Sequence, residues 1–190
     1  MRVLVIDAHH ANDPARSNAD ATVATLQANG CDTELHRIHD LGFGSPMTEA
    51  EFGAYRTADP LITPETREAG AAVAGADALV FCYPATMFGV PPVLKNWHER
   101  VLVPGVGFRV DHKRRVRPGM TQIRRIGAVT TTPHGRAAVL RARDLGRRTI
   151  MRTMRMNCHR FCRPTFVSLP DPVDESSASA AIAVAFRRWR

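Results

Sequence analysis

Three short stretches of this chain combine residue types that can hold an anionic or flat ligand. The first is Ala8-His9-His10-Ala11-Asn12-Asp13-Pro14-Ala15-Arg16-Ser17-Asn18, which leads into a helical pattern. A helix N-terminus exposes unpaired N–H groups and the positive end of its dipole, so it suits a phosphate. Ser17 or Asn18 can cap that helix and donate to a phosphate oxygen, and His9 or Arg16 can neutralise charge. The same residues also read as an ordinary Ser/Asn helix cap. The second stretch, Pro84-Ala85-Thr86-Met87-Phe88-Gly89, ends an apolar run. There Ala85 to Gly89 can present backbone groups with little side-chain obstruction, and Phe88 can wall a ring. The third, Thr130-Thr131-Thr132-Pro133-His134-Gly135, has the strand-end threonines and glycine that suit a phosphate or a ring edge. His134 is the catalytic candidate of this loop, as a hydrogen-bond donor or oxyanion stabiliser; its alternative is a solvated loop histidine.

Residues so far apart in sequence need a scaffold that gathers them. Strand and helix patterns alternate from end to end, which predicts a parallel sheet covered on both faces. Strands are expected at Arg2–Asp7, Asp32–Ile38, Ala78–Tyr83, Arg125–Thr130 and Thr165–Leu169. Helices are expected from about Arg16 to Asn29, closed by Gly30, and from Pro64, with proline in the first turn. Another begins at Pro91 or Pro92 and runs to Leu102, and a last one opens at Asp174. Residues 40–59 read as irregular, with a helical turn near Thr48-Glu49-Ala50-Glu51, and residues 104–122 as a Gly/Pro-punctuated excursion. One long arginine-rich helix is expected over Arg136–Met156, with Arg141, Arg148, Arg152 and Arg155 on a common face. Five strands in the order 2-1-3-4-5, with right-handed crossovers, bring the loops after strands one, three and four to the carboxyl edge. The expectation is an α/β, doubly wound, three-layer αβα fold, with residues 1–190 forming a single domain.

Composition narrows the function classes. A chain of 190 residues can bury roughly 70% of its unfolded surface without disulfides. The apolar run at Val3–Ile6 is too short for a signal peptide, and no stretch reaches the ~18 apolar residues of a membrane span, so a cytoplasmic protein is expected. Cys31, Cys82, Cys158 and Cys162 read as reduced thiols, and the Cys158-His159…Cys162 cluster lacks a second pair at zinc spacing. The net charge of +8 is uneven: residues 113–163 hold fifteen Lys or Arg against Asp144 alone, a local +14, leaving about −6 elsewhere. Such a face can attract nucleic acid, a membrane surface or a phosphate-bearing cofactor. Phe161 is its one aromatic, so the stacking pattern of nucleic-acid binders is missing. No Gly-x-Gly-x-x-Gly follows the first strand, and the third strand ends Tyr83-Pro84 rather than in an acid, which argues against a Rossmann dehydrogenase and a phospho-acceptor receiver.

The run Phe88-Gly89-Val90-Pro91-x-x-Leu94-Lys95-x-Trp97-x-x-Arg100-Val101, continuing to Pro104-Gly105-x-Gly107-Phe108, resembles the flavin-ring region of the NAD(P)H:quinone oxidoreductase family, which has the flavodoxin-like fold. The resemblance spans nearly the full chain and is strongest over 78–135. It implies a flavin (FMN, or alternatively FAD) with its phosphate held by His9, Ser17 and Asn18, beside Arg16 as the residue-level candidate for neutralising its charge. Its ring would lie against Pro84, Ala85, Thr86, Met87, Phe88 and Gly89, and against Thr130, Thr131, Thr132 and Gly135. It also implies NAD(P)H as electron donor, a quinone-like acceptor that enters after the donor leaves, and a homodimer. Two positions depart from the family pattern: Met87 stands where many relatives have tryptophan, and Pro133-His134 replaces part of a Gly-rich turn, removing one backbone donor. The alternative function is a non-catalytic flavodoxin-like regulatory or partner-binding subunit.

Overall fold

A computed structural model describes residues 1–172 and 174–190, and within them every side chain except those of Arg136 and Leu140. The first half runs β1 (Arg2–Asp7), α1 (Ser17–Ala28), β2 (Asp32–Arg37), α2 (Glu49–Ala54), α3 (Pro64–Gly75), β3 (Ala78–Pro84) and α4 (Pro92–Val101). The second half runs β4 (Phe108–Val110), β5 (Val116–Pro118), β6 (Arg125–Thr132), α5 (Arg136–Arg141), α6 (Leu145–Arg148), β7 (Arg163–Pro170) and α7 (Glu175–Phe186). Five strands form one parallel sheet in the order β2-β1-β3-β6-β7, while β4 and β5 pair separately as an antiparallel hairpin. With the hairpin set aside, this is the predicted 2-1-3-4-5 order.

Alternation along the central strands explains why their sequences are apolar throughout. Val3 and Val5 face a core with Leu26, Ile182 and Phe186, contributed by α1 and α7. Leu4 and Ile6 face the opposite core with Val73, Leu94 and Trp97, from α3 and α4. A strand covered on both sides has no solvated face, so the period-two pattern disappears. Local signals set the helix ends. Thr63 accepts from the Thr66 amide ahead of Pro64, Asp174 accepts from the Ser177 amide, and Gly30 takes φ +82° just beyond α1. The 40–59 stretch is anchored by Arg100, which donates to Glu51 at 2.7 Å and to the Gly42 carbonyl at 3.1 Å, and also to Glu65 of α3 at 2.9 Å.

Two expectations need correction. The 104–122 excursion contains the β4–β5 hairpin, and a Cβ added at Gly119 would sit 2.5–2.6 Å from Phe108 N, Gly107 C and Val106 O. The single helix expected over 136–156 is broken. Arg143 and Asp144 adopt φ +61° and +40°, and Asp144 turns to cap α6 by accepting from the Arg147 amide at 2.9 Å. Two consecutive left-handed residues cannot continue a right-handed helix. Beyond α6 the chain forms a π-helical turn over Thr149–Met154 and a 3₁₀ turn over Arg155–Asn157. Among the described residues, no helix is long and apolar enough to cross a membrane.

Candidate functional site at the carboxyl edge

The ends of β1, β3 and β6 are neighbours in the sheet, so at about 4.8 Å per strand their loops start within roughly 10 Å of one another. The Ala8 amide donates to the Cys82 carbonyl at 2.8 Å, and the Ala85 amide to the Thr131 carbonyl at 2.8 Å. The sheet's hydrogen bonding is thereby carried one step past the strand ends, and all three candidate loops emerge along one edge.

At the β1 loop, Asp7 is fully buried and organises the cations around it. It accepts from His9 Nδ1 at 2.7 Å, from the His9 amide at 3.1 Å and from Arg37 Nη1 at 2.9 Å, with Arg16 Nε 3.9 Å away. An ionised carboxylate only accepts, so Nδ1 carries a proton and Nε2 is the ring atom left to face a ligand. Nε2 of His9 and Nδ2 of Asn18 are both buried with no partner among the described residues. Buried polar atoms are almost always satisfied, so two orphans beside one helix N-terminus point to an absent ligand. The expected cap is corrected here. Asp13, not Ser17 or Asn18, opens the helix, accepting from the Ala15 amide at 2.8 Å at the start of a 3₁₀ turn over Pro14–Arg16. Ser17 instead donates to the Pro14 carbonyl at 3.0 Å. Arg16 is paired with Asp40. Beside this loop the His10 and His39 rings lie 4.0 Å apart, and burial, then the neighbouring His10, holds His39 below the ordinary histidine value.

The β3 loop is a tight turn in which Met87 and Phe88 take φ +48° and +60°, closed by the Gly89 amide donating to Thr86 O at 2.7 Å. This is a type I′ pattern, ordinarily built from Asn and Gly. Each non-glycine residue held there costs about 1–2 kcal/mol. The amides of Met87 and Phe88 find no backbone acceptor among the described residues, so the turn leaves two donors unpaired. Met87 is 89% exposed, whereas Phe88 is half-buried and stacks on His134 with ring centroids 4.4 Å apart.

The β6 loop brings Thr130, Thr131 and Thr132 into burial, with Thr132 Oγ1 accepting from the His134 amide at 3.3 Å. Gly135 is exposed and accepts at its carbonyl from the Ala138 and Val139 amides, which makes it the turn into α5. Pro133 and His134 are exposed. Beneath the β3 loop lies Tyr83, whose buried hydroxyl has no partner among the described residues. Burial, and secondarily Asp144, pushes its pKa up. The β3 and β6 loops therefore meet directly, through Ala85–Thr131 and Phe88–His134, while the β1 loop adjoins them through Ala8–Cys82. His9 Nε2, Asn18 Nδ2 and the Met87 and Phe88 amides are left without a partner among the described residues, whereas Arg16 and Ser17 are engaged within the protein. Sequence reasoning missed Arg37 and Tyr83, both of which read as strand residues. It also missed the placement of Gly146, whose amide donates to the Phe88 carbonyl at 2.9 Å.

These residues fit a phosphorylated, planar group at two of the three loops: the orphaned His9 and Asn18 atoms for its anion, and the free turn amides for its ring. The third loop, with Pro133, offers fewer donors. A family model described as flavodoxin-like fold matches residues 1–183. Among solved structures, an NAD(P)H:quinone oxidoreductase from Methanothermobacter marburgensis is 21% identical with a TM-score of 0.76, covering 100% of this chain and 98% of that one. An FMN-dependent NADH-azoreductase from Bacillus anthracis, in complex with FMN, is 12% identical with a TM-score of 0.75, covering 100% of both chains. A putative quinone reductase from Klebsiella pneumoniae is 17% identical with a TM-score of 0.72, covering 98% of this chain and 84% of that one. At these identities the likeness is one of fold. No curated protein matches the sequence.

Proposed function

Because the chain belongs to the flavodoxin-like fold family, we propose that it is a flavin-dependent NAD(P)H oxidoreductase that passes two electrons to a quinone-like acceptor. The observation that carries this reading is the pair of orphaned buried atoms, His9 Nε2 and Asn18 Nδ2, at the helix entrance beside the sheet's carboxyl edge. FMN, with its single terminal phosphate, is the flavin this reading prefers, and FAD the alternative. A bound flavin would supply the hydride acceptor and donor, at N5, that amino-acid side chains lack.

The chain's own residues supply the rest. His9 and Asn18 would grip the phosphate, with Ser17 and Arg16 contributing once released from the Pro14 carbonyl and Asp40. The Met87 and Phe88 amides, fixed by a strained turn, are preorganised donors for negative charge that develops on a ring during reduction. Pro84, Ala85, Thr86 and Gly89 shape the backbone of that wall, and Phe88 gives it an aromatic face. Thr130, Thr131, Thr132 and Gly135 line the opposite edge. His134, exposed and stacked on Phe88, is the group placed to hold or deliver a proton at an acceptor oxygen. The reading includes a cytoplasmic homodimer, in which a second copy covers exposed Met87 and the hairpin's exposed Val110 and Val116.

The test is titration of the purified protein with FMN and with FAD, followed by NAD(P)H oxidation with a simple benzoquinone. Saturable FMN binding and quinone-dependent turnover are expected. His9→Leu and Asn18→Leu each should weaken FMN binding by about tenfold or more, the worth of one hydrogen bond to a charged group. Failure to bind either flavin would sink the proposal. Flavin bound without turnover would favour the regulatory-subunit alternative.

A further inference from the structure

Between β7 and the segment from α5 to the 3₁₀ turn lies a cleft of about 1000 Å³. That is the upper end of the volume range of small-ligand sites. Its rim carries Arg143, Arg147, Arg148, Arg152 and Arg155. None of the five makes an ion pair within 4 Å among the described residues. Six arginines outside the cleft are matched: Arg2 with Glu34, Arg16 with Asp40, Arg37 with Asp7 and Asp20, Arg67 with Asp59, Arg100 with Glu51 and Glu65, and Arg117 with Asp111. The one acid lining the cleft, Asp144, has a carboxylate oxygen committed to the Arg147 amide. Five cations against one carboxylate in a concavity repel one another and focus a net positive field into it.

The floor is different in kind. Met151, Pro164 and Phe166 give it an apolar surface, and the Arg147 guanidinium lies 5.0 Å over the Phe166 ring. At one end the cleft reaches Thr132 and His134, in the loop that belongs to the candidate flavin site. An apolar floor, a cationic rim and an end at the redox loop together suit a nucleotide whose base lies flat and whose phosphates face outward.

Resting on the oxidoreductase reading above, we propose that this cleft seats the adenosine end of the electron donor and selects the donor that carries an additional phosphate on its adenosine ribose. Dinucleotide sites that accept an unmodified ribose characteristically set a free carboxylate against the 2′-hydroxyl, whereas arginine accommodates a 2′-phosphate. Here one carboxylate oxygen is committed to the Arg147 amide, and among the described residues only Arg155 of the five arginines makes a side-chain hydrogen bond, to the Cys162 carbonyl at 2.8 Å. A ribose monophosphate adds roughly −1.5 to −2 of charge near neutral pH. The five-arginine rim gains correspondingly more from NADPH than from NADH. Arg148 and Arg152, both exposed and with guanidinium groups that make no hydrogen bond among the described residues, are the specificity-determining side chains.

Redox-inert fragments test this independently of turnover. Calorimetry on the intact protein compares adenosine 2′,5′-bisphosphate with 5′-AMP, for the natural chain and for Arg148→Gln/Arg152→Gln, with FMN titrated into each. The bisphosphate is expected to bind at least tenfold more tightly than 5′-AMP, with a preference that shrinks as salt rises. The double variant should lose most of that preference while binding FMN like the natural chain. Equal affinity for the two fragments would overturn the proposal, as would a preference that the double variant retains. Displacement of the bisphosphate by an equal concentration of inorganic pyrophosphate, or tighter binding of a short single-stranded oligonucleotide, would also overturn it. FMN binding alongside fragment failure sinks only the cleft; fragment binding without FMN binding sinks the flavin reading and leaves the cleft a nucleotide site.

Discussion

His98 shows how one buried side chain sets a pH response. It lies edge-on to Phe81 and Trp97, at 5.5 and 5.8 Å, with Nε2 buried and without a partner among the described residues. Burial, and then nearby Lys95, pushes its pKa down to about 3. In the unfolded chain the ring protonates near pH 6.5. Below that the unfolded state binds more protons than the native state, so stability falls as pH drops from about 6.5 toward 3, by at most roughly 1.4 kcal/mol per unit. His98→Leu removes this contribution, because no hydrogen bond of Nε2 is lost. Urea unfolding at pH 7.5 and 4.5 should show the natural chain losing about 2 kcal/mol more than the variant; parallel losses would refute the assignment. At Met87 the prediction runs toward stability. Asparagine tolerates the left-handed conformation better than methionine, so Met87→Asn should gain about 0.5–1 kcal/mol and raise the melting temperature by about 1–4 °C. A lower melting temperature would mean that Met87 makes contacts outweighing its backbone strain. At this scale the sequence was informative about which loops matter and less so about individual roles. Ser17 and Asn18 are cap residues by type, but Asp13 lies one turn earlier and takes that position, which frees Asn18 to be buried.

Among the elements, β1 and β3 were legible because an unbroken apolar run between turn residues has few other readings. α3 and α4 were legible through the prolines of their first turns, and α7 through its opening aspartate. The segment over 136–157 was not. Its arginines recur at helical spacing, so periodicity predicted one helix. In an unbroken α-helix, at 100° per residue, Arg147 and Arg152 would project about 140° apart. The π-helical turn after α6, which lies between them, brings them to one cleft instead; neither it nor the left-handed pair at Arg143-Asp144 that ends α5 has an apolar period to announce it. The hairpin was hidden for another reason: β4 and β5 are three residues each and mostly exposed. Its seat depends on Gly119, whose missing side chain admits the backbone of residues 106–108. Gly119→Ala should therefore cost on the order of 2 kcal/mol or more, since main chain rather than a side-chain tip must move. Denaturant unfolding checks this, and a loss under about 0.5 kcal/mol would contradict the packing described.

Across the whole molecule, charge is segregated: acids matched by arginines on the β1–β2 side, and unmatched arginines near β7. Self-repulsion of that kind is screened by salt, with a Debye length of about 30 Å at 10 mM and about 8 Å at 150 mM. The ligand-free protein should melt higher at the greater ionic strength, and Arg148→Gln/Arg152→Gln should flatten the dependence; an unchanged salt profile in the variant would show that the repulsion lies elsewhere. A hydrogen bond ties the arginine-bearing side to the β3 turn. The Gly146 amide, at the head of the arginine-bearing segment, donates to the carbonyl of Phe88 in the strained turn, and a Cβ at Gly146 would lie 3.2 Å from Gly89 C and 3.1 Å from the Tyr83 hydroxyl. Such a joint acts in both directions by thermodynamic necessity. If the proposed flavin and cleft sites both bind, then by whatever factor an anion in the cleft tightens or loosens the turn's hold on a flavin, the flavin must change the anion's affinity by the same factor.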